Sequence, residues 1–128
     1  MKSSGRFVFY WGPFLCFAGL IFYLSSISTF PGAPDISDKA VHLAEYSVFA
    51  LLHWRALAKK RFWTVERSRT MTVFWVGAAY AASDEIHQMF VPGRNPSVYD
   101  WIADVTGILG MITLMFIGTK WMKKTVKA

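Results

Sequence analysis

Residues 80–110 read YAASDEIHQMFVPGRNPSVYDWIADVTGILG. Two apolar, helix-forming runs meet in this stretch at a Pro-Gly turn, and Asp84, Glu85, His87, Gln88, Arg94, Asp100 and Asp104 crowd around it. Pro92 and Pro96 lack the amide donor a helix needs, so the first run must stop and a second must begin. At helical spacing Tyr80, Asp84, His87 and Gln88 share one face, while Glu85 points about 100° away from Asp84. Asp100 and Asp104 stand one turn apart at the start of the next helix. A connection this short makes the two helices antiparallel neighbours. The stretch therefore predicts a helical hairpin with ionisable groups gathered at its closed end.

The rest of the chain shows what surrounds that hairpin. Of 128 residues, 54% are hydrophobic and 17% charged, too little charge to cover the surface of a soluble domain of this size. Residues 7–30 form an apolar run long enough to cross a bilayer at about 1.5 Å per residue. It exceeds the roughly 7–15 residues of a signal-peptide core and is read as an anchor that stays. Residues 31–37, PGAPDIS, form a break with turn chemistry, after which Ser37 or Asp38 caps a second helix over residues 38–58. Further runs cover residues 70–91 and 98–118. Below Asp104, Gly107 and Gly110 are placed for close helix packing. The fold class is all-α: an integral membrane four-helix bundle with short connecting loops, in a single domain over residues 1–128.

Charge placement orients the bundle. With both termini cytoplasmic, the inner side holds Lys2, Arg6, Arg55, Lys59, Lys60, Arg61, Arg67, Arg69, Lys120, Lys123, Lys124 and Lys127, twelve of the 14 basic residues. Only Lys39 and Arg94 lie at the other end, so the positive-inside rule gives four spans, N-in and C-in, in a plasma membrane. The formal net charge of +6 then reflects cytoplasmic loops, not a nucleic-acid surface. Lone Cys16 excludes an internal disulfide.

Every acid except Glu66 falls toward the outer side. Asp38, His42 and Glu45 occupy one face at the start of the second helix, with Lys39 and Tyr46 beside them. Asp38, Glu45, Asp84, Glu85, Asp100 and Asp104 total minus six against plus two from Lys39 and Arg94. Such a surplus in a membrane calls for water access, protonation of some carboxylates or a bound cation. Helix capping and pairs such as Arg94 with Asp84 or Asp100, or His42 with Glu45, explain one or two of these groups and leave the surplus unexplained. His42 with Glu45 and Asp84 with His87 also have the i, i+3 spacing of helical metal ligands. No HExxH is present, no metal ligand is assigned, and the cofactor stays open. No nucleophile elbow surrounds Ser83 or Ser97. His53, alone and deeper, is read as a buried, hydrogen-bonded residue.

Two readings follow. In the first, the pocket is catalytic: Asp84 or Glu85 is the general base, His42 or His87 the proton relay, and Asp100 completes the acidic set. Lys39, Arg94, Asp38, Gln88 and Tyr46 bind the substrate, Arg94 gripping an anionic headgroup with its fork. In the second, the same pocket captures a headgroup, antibiotic or partner without turnover. The expected partners are membrane lipids or lipid-linked envelope precursors.

DKAVHLAEY, starting at Asp38, followed by SDEIHQMFVPGRNPSVYD and ADVTGILG, closely resembles the signature of the VanZ-like membrane proteins. The matching positions are Asp38, Lys39, His42, Tyr46, Asp84, Glu85, Gln88, Phe90, Arg94, Asp100 and Gly107. Asp104 departs from the pattern, since many members carry Asn there. The resemblance implies a multi-pass protein of the bacterial cell envelope, and the family's namesake is associated with low-level resistance to glycopeptides, teicoplanin in particular. It implies no particular reaction.

Overall fold

A computed structural model describes residues 3–28, 38–57 and 65–125, without the side chains of residues 3, 4, 65, 66 and 122–124. Four helices form among the described residues: α1 (Ser3–Ser25), α2 (Asp38–Leu57), α3 (Val65–Gln88) and α4 (Val98–Thr125). No strand occurs among the described residues. The turn over residues 31–37 with its Ser37 cap, and most of the basic connection at 59–69, lie outside them.

The apolar runs locate all four helices and misplace several ends. α1 stops at Ser25 and not at residue 30, because its last turn tightens: Ser26 N donates to Phe22 O and Tyr23 O, and Ile27 N to Leu24 O. α3 starts at Val65 and α4 continues to Thr125, since Arg and Lys are good helix formers and carry a helix past its greasy segment. α3 ends at Gln88, before residue 91, ahead of Pro92. Arg94 N then donates to Val91 O at 3.1 Å and Gly93 has φ of 84°. Proline followed by a positive-φ glycine is the pattern a type II turn requires.

α2 packs chiefly on α4, α4 also on α3, and α1 lies against α2. Side-chain contacts fix the directions. Ser25 meets Asp84 and Tyr80 meets Ala18, so α1 and α3 run the same way. Lys39 meets Asp100 and Ser47 meets Gly107, so α2 and α4 run together in the opposite sense. The C-terminal ends of α1 and α3 therefore share one end of the bundle with the N-terminal ends of α2 and α4.

Gly107 sets how closely α2 and α4 approach. A Cβ there would collide with the Leu43 carbonyl, and Ser47 Oγ donates to the Gly107 carbonyl at 3.2 Å. The companion expectation for Gly110 is not met: it is exposed, and a Cβ there would touch nothing. Below the polar end, Phe49 packs on Phe14 at 4.9 Å and stacks on Tyr80 at 5.0 Å, tying α1, α2 and α3 together. His53 stacks on Phe14 at 4.6 Å in this aromatic core. It is buried as expected, but its Nδ1 has no hydrogen-bond partner among the described residues.

Among the described residues, two helices are long and apolar enough to cross a membrane, Gly5–Ser25 and Val98–Trp121, and only 11% and 28% of those segments are buried. A core helix of a water-soluble protein would be mostly covered. Phe7, Phe9, Leu15, Phe22 and Tyr23 on α1 and Leu114, Ile117 and Trp121 on α4 are exposed, an apolar surface of the kind that marks a contact with lipid or another protein.

Candidate functional site

The polar end divides into two adjoining groups. The first is a clasp on the end of α1. Ser25 Oγ donates to Asp84 Oδ1 at 2.6 Å, and Gln88 Nε2 donates to Asp84 Oδ2 at 3.3 Å from one turn further along α3. Both Asp84 and Gln88 are buried. His87 shares a hydrogen bond of 2.9 Å between Nε2 and Ser26 Oγ, and its ring stacks on Phe22 at 4.4 Å. Arg94 turns back from the 89–97 loop: Nε donates to Ile27 O and Nη2 to Leu24 O, each at 3.0 Å. A cation on the last carbonyls of a helix satisfies acceptors that have no intrahelical donor and complements the helix dipole.

The second group lies between α2, α3 and α4. Because α2 and α4 run in the same direction, residues one turn apart on each form successive rungs. Lys39 Nζ donates to Asp100 Oδ1 at 3.2 Å, and one turn deeper His42 Nδ1 meets Asp104 Oδ1 at 3.0 Å. From α3, Glu85 Oε2 accepts the Ser97 amide at 2.9 Å. Ser97 Oγ in turn accepts the Tyr99 amide at 3.2 Å, the N-cap arrangement that starts α4. Ligating atoms of His42, Glu85 and Asp104 all lie within 4.8 Å of one another, and the same holds for Asp38, His42 and Asp100. His42 belongs to both sets.

This second group is incompletely satisfied. Asp104 is 0% exposed, and its Oδ2 has no hydrogen-bond partner among the described residues. Glu85 Oε1 and the Tyr46 hydroxyl are buried in the same condition. Tyr46 is itself 0% exposed and lies within electrostatic reach of Asp84, Asp104 and Glu45. Unpaired buried oxygens are costly in a folded protein. All three such oxygens among the described residues fall in this locality.

The predicted site residues thus separate. His42, Glu85, Asp100, Asp38 and Lys39 come together, with Tyr46 beneath them. Asp84, His87, Gln88 and Arg94 form the clasp. Pairing of Arg94 with Asp84 or Asp100, and of His42 with Glu45, does not occur, because Arg94 is drawn to the α1 carbonyls and His42 to α4. The i, i+3 pairs are likewise not the sets that converge. Asp104, counted among the carboxylates of the polar end but given no catalytic or binding role, stands at its centre. Its position one turn below Asp100 was the available signal, and nothing in the sequence distinguished Ser25 or Ser97 as partners.

Beside Glu85 an open groove of about 350 Å³ runs between α3 and α4, lined mainly by Ile86, Met89, Pro96, Val98 and Trp101. At the opposite end of the bundle, Arg55 sits 4.7 Å over the Phe9 ring and Arg69 5.1 Å over Trp54. Both are cation–π contacts, in which the ring face attracts the guanidinium.

No curated protein and no solved structure matches the chain. The VanZ/LLP1 family model matches residues 6–119. With most of its length accounted for in this way, the chain belongs to the VanZ/LLP1 family.

Proposed function

We propose that the chain spans the bacterial plasma membrane four times, N-in and C-in, and that its outer polar cluster acts on the headgroup of an envelope lipid or lipid-linked glycan. The observation that carries this reading is the convergence of His42, Glu85, Asp100 and Asp104 from three helices at one end, with Arg6, Arg55, Arg67, Arg69 and Lys120, among the described residues, toward the other. α2 and α3 are less apolar than α1 and α4. In a bundle their polar faces turn inward, so they need not be uniformly greasy to cross.

The chemistry available is proton transfer. Glu85 keeps one carboxylate oxygen without a hydrogen-bond partner, and His42 is held in orientation by Asp104, the arrangement of a base and a positioned relay. The groove beside Glu85 has the apolar lining an acyl chain requires, so a lipid lying there would bring its headgroup to the cluster. The link to glycopeptide resistance rests on family membership and enters as part of the same proposal.

The test is Glu85→Gln and His42→Gln in a deletion strain complemented with the variant chain, read by untargeted profiling of membrane lipids and glycan precursors and by teicoplanin sensitivity. Loss of the wild-type profile in both, with the proteins present and membrane-inserted, is the expected result. An unchanged profile in both overturns the proposal. The competing reading, capture without turnover, is favoured by the number of polar residues engaged in holding α1. It predicts partial retention in Glu85→Gln, where the shape of the site is kept and only the base is lost.

A further inference from the structure

We propose that His42, Glu85 and Asp104 hold a divalent transition-metal ion at the polar end of the bundle. Three side chains from three different helices present ligating atoms within 4.8 Å of one another. Independently, the two carboxylates of this set are the ones with an orphaned buried oxygen: Oδ2 of Asp104, a fully buried residue, and Oε1 of Glu85. A buried carboxylate oxygen without a donor is satisfied by a cation as well as by a proton donor. The overlapping set of Asp38, His42 and Asp100 has no such oxygen, so the deeper set is the one assigned.

Charge gives a second reason. Of the two cations that the sequence sets against six carboxylates, neither meets Glu85 or Asp104: Arg94 is on the carbonyls of Leu24 and Ile27, and Lys39 on Asp100. Among the described residues, no unpaired cationic side chain is left at this end to meet an anionic headgroup. A divalent ion would neutralise the inner carboxylates and leave coordination positions for water or a phosphate oxygen. One imidazole with two carboxylates suits manganese, iron or zinc better than calcium, which prefers an all-oxygen cage.

This deepens the proposed function, in which Glu85 and His42 would then serve as ligands in place of base and relay, and it rests on the cluster being the functional site, but metal binding is measured without turnover. Purified full chain in detergent micelles, dialysed against chelator, is titrated with MnCl2 and followed by electron paramagnetic resonance. The expected result is one Mn2+ per chain, displaced by Zn2+, with nitrogen coupling in the pulsed spectrum from His42. Asp104→Asn and Glu85→Gln weaken binding by at least about tenfold, and Ser83→Ala, at an exposed position, leaves it unchanged. Substoichiometric binding, bound Mn2+ without nitrogen coupling, or unchanged affinity in a folded Asp104→Asn protein overturns the inference. If a variant fails to fold, the nitrogen coupling of the wild-type chain decides the matter. Stoichiometric metal with an unaltered lipid profile in Glu85→Gln cells would leave this site standing and remove the reaction.

Discussion

Asp84 and Glu85 are adjacent in sequence and belong to different parts of the molecule. Asp84 faces α1, where both its oxygens accept hydrogen bonds and no buried side-chain atom of its group lacks a partner. Glu85 faces α4, in a group where it, Asp104 and Tyr46 each leave a buried oxygen unpaired. The clasp closes its hydrogen-bond accounts; the cluster leaves them open. Saturated polar networks hold helices in register, and unsaturated ones are where a ligand, proton or ion has something to do.

The comparison is broken or sharpened by substitutions on its two sides. The largest expected effect is in the cluster: Glu85→Gln lowers the rate of the proposed reaction by at least about a hundredfold, the usual contribution of a general base. Its thermal unfolding in detergent should stay close to wild type. A folded Glu85→Gln chain that restores full lipid and precursor profiles would erase the distinction between the groups.

Next comes Gly107→Val, which forces α2 from α4 and pulls His42 away from Asp104. Overpacking of this kind costs about 1–3 kcal/mol, and because the contact is with backbone the upper part of that range is expected, read as a lowered unfolding midpoint together with loss of function. Gly110→Val, over open space, should change neither.

Substitutions in the clasp should act on stability and spare chemistry. Arg94→Ala removes two charged hydrogen bonds to the end of α1 and should cost about 1–2 kcal/mol after allowance for its partial exposure. Arg94→Lys recovers only part, since a single ammonium cannot reproduce the fork. If Arg94→Ala instead abolishes function at unchanged stability, Arg94 is a substrate contact after all and the clasp is misread. The smallest effect is His87→Phe: it keeps the stack on Phe22, gives up the bond to Ser26 and should cost less than about 1 kcal/mol, with lipid profiles intact.

Much of this architecture is legible in one dimension. Four apolar runs, two turn-forming breaks and the segregation of basic from acidic residues follow from local rules, and the helices lie where those runs lie. Helix ends are less legible, because Arg and Lys extend a helix as readily as they end an apolar segment. The difference shows at Val65 and Thr125.

Within the polar end, sequence determined which residues gather but not which of them meet. Helical phase separates Asp84 from Glu85 by about 100°, and that angle alone does not say which neighbour lies on either side. Only packing places α1 against Asp84 and α4 against Glu85, turns Arg94 onto carbonyls away from carboxylates, and brings Asp104 to His42. Pairing across helices depends on their relative direction and spacing, set here by the Gly107 contact and the aromatic core. No periodicity within a single helix records those quantities.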